Sequence, residues 1–211
     1  MNFLIIGAVI ILPYLLGSIS FGIIVTKLKK GIDIRDFGSG NTGFTNVLRV
    51  VGKGPAIIVL VCDALKGSIG VLLGYYLGEA SYGYAVLGGL STMIGHTYPI
   101  YYGFKGGKGV ATGLGVILTL VPDVTLIALI IFIITVFFSR YVSLGSLLAA
   151  LSVPIVTYLL EKPLPIFIFG LIGSIFVVYT HKANIVRLVQ GQENKIGKRS
   201  ELGNIDDKGR S

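Results

Sequence analysis

The segment from Gly38 to Arg49, GSGNTGFTNVLR, combines glycines with short polar side chains and ends in an arginine. The glycines permit backbone conformations that other residues avoid, and such a loop can present N–H groups on one concave side. The residues between them add neutral hydrogen-bonding groups: Ser39, Asn41, Thr42, Thr45 and Asn46. Arg49 adds a planar, permanently charged fork that suits phosphate oxygens. A lone Gly-x-Gly indicates only a turn, but the whole segment predicts an anion-binding loop.

A second segment, GGKGVAT, begins at Gly106 and Gly107 and places Lys108 where an apolar run starts. The first turn of a helix has unpaired N–H groups and partial positive charge, so this position predicts a phosphate site. The G-x4-G-K-[ST] spacing of a nucleotide-hydrolysing loop is absent. The alternative for Lys105 and Lys108 is contact with lipid headgroups.

The third segment is HKANIVRLVQGQE, which starts at His181. Asn184 follows one helical turn later, so the two side chains are expected on one face. A histidine at a membrane boundary is often only an interfacial residue, but two neighbouring anion sites favour a functional role. The other histidine, His96, has no acidic neighbour in its apolar run and is interpreted as a packing or helix-bridging residue.

Asp63 and Lys66 are three residues apart in an apolar run, so they can pair on one helix face. Charges inside a membrane are costly and are functional candidates by default. Both a structural pair and a supporting role at the site stay open. No cluster of Asp, Glu and His crosses the three segments, so neither a metal nor another cofactor is expected. Fixed donors, two cations and a histidine, without an obvious nucleophile, suit two anionic substrates that react with each other.

The composition defines the elements that must position these segments. The 211 residues are 53% hydrophobic and only 13% charged, and the mean hydropathy is +0.84. A soluble domain of this size could not bury so much apolar surface, which predicts an all-α, polytopic membrane protein. The net charge of +8 could indicate a nucleic-acid partner. The basic residues lie between apolar runs and form no stripe, so no nucleic acid is expected.

Seven apolar runs are candidate membrane spans. They are Phe3–Thr26, Pro55–Leu77, Tyr82–Tyr102, Gly106–Val121, Val124–Phe138, Val142–Leu160 and Leu164–Thr180. The fourth and fifth are short, and they could instead be one segment broken at Pro122 and Asp123.

The distribution of charge favours seven spans over six. With seven, sixteen of the eighteen Lys and Arg residues lie on one face, and only Lys66 and Lys162 do not. The positive-inside rule then predicts an outside N-terminus and a cytoplasmic C-terminus. All three polar segments would face the cytoplasm. Residues 1–196 are expected to form the membrane domain, and residues 197–211 a polar, disordered tail.

Together, DIRDFGSGNTGFTNVLR, GGKGVATG and HKANIVRLVQGQE resemble the bacterial acyl-phosphate-dependent glycerol-3-phosphate acyltransferases. The resemblance implies a reaction in which acyl phosphate and glycerol 3-phosphate give 1-acyl-glycerol 3-phosphate and phosphate, the first acylation of phospholipid synthesis. It also implies an enzyme of the bacterial cytoplasmic membrane that acts as a monomer and faces the cytoplasm.

The same resemblance implies roles for individual residues. Arg49 and Lys108 would neutralise charge, while His181, Asn184 and Ser146 would contact glycerol 3-phosphate, with Ser143 a less favoured substitute for Ser146. Ser39, Gly40 and Asn41 would form the phosphate-contacting loop. The residue types of the first two segments add Thr45, Asn46, Gly106 and Gly107 as substrate-binding candidates. The His-x4-Asp pair of other glycerol-phosphate acyltransferases is absent, since Tyr101 and Val186 occupy the Asp positions.

Two other classes of protein remain as alternatives. An anion transporter could also use glycine-rich cationic loops, but it would need a polar lining on discontinuous helices, often in repeated halves, and no internal repeat is found. A CDP-alcohol phosphotransferase would need clustered aspartates that bind metal, whereas Asp63 stands alone.

Overall fold

The structure, a computed structural model, describes residues 3–197, and its regular elements are helices. In chain order the α-helices are α1 Phe3–Gly17, α2 Phe21–Lys30, α3 Phe44–Val50, α4 Lys53–Leu77, α5 Tyr82–Thr97, α6 Val110–Leu120, α7 Pro122–Ser139, α8 Val142–Leu159, α9 Leu164–Thr180 and α10 Lys182–Val189. Short 3-10 turns lie at Ile34–Asp36 and Ile100–Tyr102. The predicted all-α class is confirmed for this range. The predicted disordered tail lies, beyond Gly197, outside the described residues.

Helix α4 is central and packs against α1, α5 and α6. Two glycines let α5 approach it closely. A Cβ atom at Gly70 would overlap the Thr92 side chain, and one at Gly74 would overlap the Tyr84 carbonyl. Small residues are the usual means of close helix packing in membranes, where no hydrophobic force drives helices together. Helix α8 lies between α7 and α9, and α9 also contacts α5, which joins the two groups.

The first predicted span, Phe3–Thr26, consists of two helices rather than one. Helix α1 ends at Gly17 and α2 begins at Phe21, and together they form one candidate span, Phe3–Lys30. The Lys66 ammonium donates a hydrogen bond of 2.7 Å to the Ile19 carbonyl in the break. The bond gives the Ile19 carbonyl, which lies at the break, the hydrogen-bond partner that a buried backbone group requires.

The third predicted span is also interrupted. Helix α5 ends at Thr97, and Tyr98 takes a non-helical conformation. Pro99 accounts for this, since a proline disfavours the helical conformation of the residue before it. The run then continues as the 3-10 turn up to Tyr102.

The fourth and fifth predicted spans are two separate helices. Helix α6 begins at Val110 and not at Gly106 as expected. Pro122 occupies the first position of α7, where its missing N–H has no cost. The remaining predicted boundaries agree with α4, α8 and α9 to within two residues.

Four helical segments of residues 3–197 are long and apolar enough to cross a membrane: Phe3–Lys30, Lys53–Leu77, Pro122–Ser139 and Val142–Leu159. A fifth is added if α9 and α10, which are bent by 62°, count as one broken span. Helix α6 has 11 residues and rises only about 17 Å, against a hydrocarbon core of about 30 Å. By length and composition, four or five helical segments of residues 3–197 are therefore candidate spans, and seven spans stay a prediction.

Candidate active site

The three polar segments and helices α6 to α9 line a common cavity of about 330 Å³. Nine predicted site residues line it: Ser39, Asn41, Thr45, Asn46, Arg49, Lys108, Ser146, His181 and Asn184. Gly40, Gly106 and Gly107 do not. The three segments, which are distant in sequence, therefore meet at one cavity.

The first loop is held in shape by the buried amide of Asn46. Its Oδ1 accepts a hydrogen bond of 2.9 Å from the Ser39 N–H, and its Nδ2 donates at 2.9 Å to the carbonyls of Phe37 and Asn41. The Gly40 N–H donates to Phe37 O as well. Ser39 and Gly40 were expected to present N–H groups to an anion, but those groups serve the loop itself. The loop therefore contributes side chains to the cavity, including that of Arg49.

Gly106 and Gly107 have a different position from the one expected. Their N–H groups donate to the carbonyls of Thr97 and His96 at 3.1 Å, so the pair is bonded to the end of α5. This is why α6 starts only at Val110, after Gly109 in a left-handed conformation with φ of +79°. The residues of the first turn that line the cavity are Val110 and Ala111.

Asn184 and Glu193 connect the second and third segments. The Lys108 ammonium donates to Asn184 Oδ1 at 2.5 Å, and Asn184 Nδ2 donates to Glu193 Oε1 at 2.7 Å. Arg187 Nε donates to Glu193 Oε2 at 2.7 Å. Although α10 bends away from α9 at His181, the side chains of His181 and Asn184 both reach the cavity. The Glu193 carboxylate thus orients Asn184 and Arg187, two residues of the third segment.

Sequence reasoning missed Glu193 and undervalued Ser143. Ser143 Oγ donates to Glu193 Oε1 at 2.9 Å, whereas Ser146 Oγ donates to the Val142 carbonyl within its own helix. Both serines line the cavity. The available signal was that Glu193 is the only acidic residue of HKANIVRLVQGQE.

Burial perturbs the titration of the polar side chains. Burial, and then the charges of Arg187 and Arg49, lower the pKa of Lys108 to about 8 against the opposing charge of Glu193. Burial and the Lys108 charge lower the pKa of His181 to about 4. Burial opposes the charge of Glu193, but hydrogen bonds from Asn184, Arg187 and Ser143 outweigh it and keep its pKa below the usual value. At neutral pH the site therefore holds a charged Lys108 and a neutral His181.

We expect kcat/KM to fall as the pH rises through about 8, the value to which the pKa of Lys108 is lowered. Only the protonated ammonium attracts a phosphate, and kcat/KM reports ionisations of the free enzyme. Initial rates across the neutral and alkaline range measure the effect. The alkaline limb should persist in Lys105→Ala, whose side chain is exposed and outside the cavity. If the residual kcat/KM of Lys108→Met fell over the same alkaline range, a group other than Lys108 would cause the fall.

Away from these polar groups the cavity is apolar and extends between four helices. Its walls include Ile117 of α6, Phe132 of α7, Val153 of α8 and Phe169 of α9. Val153 lies ten residues along α8 from Ser143, which corresponds to about 15 Å. This length is half the thickness of a bilayer hydrocarbon core, or about one leaflet. A single fatty chain therefore fits the apolar part in kind and in length.

His96 has an acidic neighbour, contrary to expectation. Its Nδ1 lies 3.5 Å from Asp63 Oδ1, and the same oxygen lies 2.9 Å from Lys66 Nζ, which confirms the predicted Asp63–Lys66 pair. The contact between Asp63 and His96 joins α4 to α5 across 33 positions of sequence, so a search for near neighbours in the chain could not find it. Asp63 and His96 also line the cavity.

A cationic polar end joined to an apolar groove among long apolar helices indicates the class: a membrane-embedded protein with a cavity suited to anionic and apolar groups. Comparison with known proteins is more specific. The family model described as "Glycerol-3-phosphate acyltransferase" matches residues 7–191. The chain belongs to the glycerol-3-phosphate acyltransferase family.

Individual relatives agree with this assignment. A glycerol-3-phosphate acyltransferase of Nostoc sp. is 43% identical over 209 residues, which is 92% of each chain. One from Halalkalibacterium halodurans is 46% identical over 193 residues, covering 89% of this chain and 94% of the relative. A crystal structure of an integral membrane glycerol 3-phosphate acyltransferase, in its glycerol 3-phosphate form, matches with a TM-score of 0.84 at 39% identity, covering 90% of this chain and 94% of that one.

These findings confirm the resemblance drawn from the three segments. The chain is an integral membrane protein, helical throughout the regular elements of residues 3–197, and an acyltransferase that acts on glycerol 3-phosphate. The transporter and the metal-dependent phosphotransferase are therefore set aside.

Proposed function

We propose that the acyl donor is an acyl phosphate and that the cavity holds both reactants at once. The observation that carries the proposal is the continuity between the cationic end, with Arg49 and Lys108, and the apolar groove among α6 to α9. An acyl phosphate has this shape, with a dianionic head on a fatty chain. Glycerol 3-phosphate has no apolar part and fits only the polar end.

The reaction in this arrangement is a direct transfer. The 1-hydroxyl oxygen of glycerol 3-phosphate attacks the acyl carbonyl carbon, and the bond from that carbon to the phosphate oxygen breaks. Phosphate leaves with the bonding electrons, the hydroxyl loses its proton, and 1-acyl-glycerol 3-phosphate is formed. No covalent intermediate on Ser143 or Ser146 is proposed, because Ser146 Oγ donates to a backbone carbonyl and the carboxylate that accepts from Ser143 also accepts from Asn184 and Arg187, which lowers the pKa of Glu193 and makes it a weak base.

Each side chain contributes by charge or by position. Arg49 and Lys108 stabilise the leaving phosphate, whose negative charge grows as the bond breaks. His181 and Asn184 hold glycerol 3-phosphate, Asn184 being oriented by Glu193. Ser39, Asn41 and Thr45 offer neutral groups at the same end. Asn46 acts through the loop, because its amide is occupied by backbone partners.

The donor is tested with purified protein, glycerol 3-phosphate and either an acyl phosphate or the matching acyl thioester, in the presence of a chelator. Release of phosphate together with 1-acyl-glycerol 3-phosphate, in equal amounts and from the acyl phosphate only, supports the proposal. Turnover with the thioester alone would overturn the choice of donor but leave the acceptor unchanged.

We further propose seven spans, with the N-terminus outside and the site at the cytoplasmic face of the bacterial inner membrane. The charge distribution supports this topology, and so does the cavity, because segments that share one cavity must lie on one side. We also propose that the protein functions as a monomer.

The topology predicts a labelling pattern in a Cys62→Ser background. Cysteines at Lys29 and Gln192, both exposed, should resist an impermeant thiol reagent in intact cells and react after lysis. A cysteine at Lys162 should react from outside. A six-span arrangement would instead place positions 29 and 192 on opposite sides, so unequal labelling of those two in intact cells would contradict seven spans.

A further inference from the structure

Three buried ionisable side chains lie just behind the site. Asp63 and Lys66 on α4 and His96 on α5 are 1%, 2% and 5% exposed. Asp63 Oδ1 lies 2.9 Å from Lys66 Nζ and 3.5 Å from His96 Nδ1. We call these three residues the buried triad. Buried charges are costly, and an apolar replacement of similar volume is often as stable, so stability alone is a weak reason for such a cluster.

The lysine of the buried triad fixes its position in the helix bundle. Lys66 Nζ donates to the Ile19 carbonyl at 2.7 Å and lies 5.6 Å from the centre of the Phe21 ring. These contacts anchor the ammonium at the break between α1 and α2. Asp63 is then held between a fixed cation and the imidazole of His96.

The histidine contacts the loop that carries Lys108. The His96 carbonyl accepts the Gly107 N–H at 3.1 Å, and the Thr97 carbonyl accepts the Gly106 N–H at 3.1 Å. The ring itself packs on Gly107, since a Cβ atom added there would overlap His96 Nε2. Lys108 is the next residue in the chain. Both the ring and the backbone of His96 therefore contact Gly107, the residue that precedes Lys108.

We propose that the buried triad positions Lys108 in the cavity by clamping the Gly106–Gly107 backbone to the end of α5. The residues of the triad are positioning residues, because their effect passes through Lys108. The inference rests on the proposed role of Lys108 at the phosphate. A misplacement of about 1 Å can lower a rate on the order of 10²-fold.

The test is a double-mutant cycle between the buried triad and Lys108. His96→Gln, in otherwise wild-type protein, is expected to lower kcat on the order of 10- to 100-fold in folded enzyme. In a Lys108→Ala background the same substitution should change kcat by less than about twofold, which is the scatter of independent effects. A residue that only maintained the fold would produce the same fractional loss in both backgrounds.

A second arm guards against misfolding. Asp63→Asn alone would leave the buried Lys66 charge without its partner. Combining it with Lys66→Met removes both charges, and this double variant is measured in the same cycle. Asp123→Asn is the matched control, since it removes a carboxylate from the Lys162 ion pair outside the cavity. It should keep wild-type kcat.

The outcomes separate the inference from the function on which it rests. Full kcat in folded His96→Gln, or an equal loss in both backgrounds, overturns the positioning role. Near-normal kcat in Lys108→Ala alone overturns the role of Lys108. A loss of kcat that His96→Gln causes in otherwise wild-type protein, but not in the Lys108→Ala background, supports both roles.

Discussion

Replacing Lys108 with alanine is expected to lower turnover on the order of 10²–10³-fold, and Arg49→Ala to do the same. This is the usual loss when a fixed charge that stabilises a transition state is removed. Lys108 is well placed for that role, because its ammonium is half-buried in the cavity and held by Asn184. Arg49 is held at its guanidinium by the Asn194 carbonyl at 3.1 Å. Both charges are thus fixed before a substrate binds.

The control for this prediction is the neighbouring cation. Lys105 is exposed and lies outside the cavity, so Lys105→Ala should retain turnover if Lys108 acts on phosphate. Lys108→Arg should recover little, since a planar fork places its donors differently from an ammonium. Steady-state rates at saturating substrates measure all of these variants. Similar losses in Lys105→Ala and Lys108→Ala would favour contact with lipid headgroups instead.

Replacing His181 with alanine is expected to lower kcat/KM for glycerol 3-phosphate on the order of 10²-fold, through lost positioning and not through a lost base. His181 Nδ1 lies 2.8 Å from the Val177 carbonyl. A carbonyl only accepts, so Nδ1 carries the proton and Nε2 is left as an acceptor. With its pKa lowered to about 4 by burial and by Lys108, the imidazole is a weak base at neutral pH.

The acyl phosphate brings its own base next to the reacting carbonyl, because its phosphate gains negative charge, and with it basicity, as the acyl bond breaks. We therefore expect the phosphate of the donor to accept the proton of the attacking hydroxyl. His181→Gln keeps a hydrogen-bonding group but is not a base. It should show measurable turnover and a raised KM for glycerol 3-phosphate. The rate should fall at acidic pH over the same range as in the wild type.

The opposite result is equally clear. His181 would be the base if His181→Gln lost all turnover at saturating substrate and if the fall of the wild-type rate at acidic pH shifted in deuterated solvent. Asn184→Asp provides a comparison at the neighbouring position, where an added negative charge should raise the KM for the anionic acceptor. That variant separates binding of glycerol 3-phosphate from proton transfer.

The amino-acid sequence by itself determined the helical class, the limits of α4, α8 and α9, and the three polar segments. Runs of apolar residues end at charges and prolines, so the limits of α4, α8 and α9 follow from local composition. Glycine-rich segments with Arg49 and Lys108 indicate anion binding, because backbone freedom and fixed charge are properties of the residues themselves. Nine of the residues that were proposed from the three segments and from the family resemblance line the cavity.

Only the tertiary structure decided which groups are occupied and which are available. The N–H groups of Ser39, Gly106 and Gly107 have carbonyl or amide partners. Glu193 bonds to Ser143 across 50 positions of sequence, and Lys108 bonds to Asn184 across 76. A hydrogen bond needs heavy atoms about 3 Å apart with aligned geometry. Residue types and their spacing along the chain do not specify such distances, which arise only when packed helices bring separate loops together.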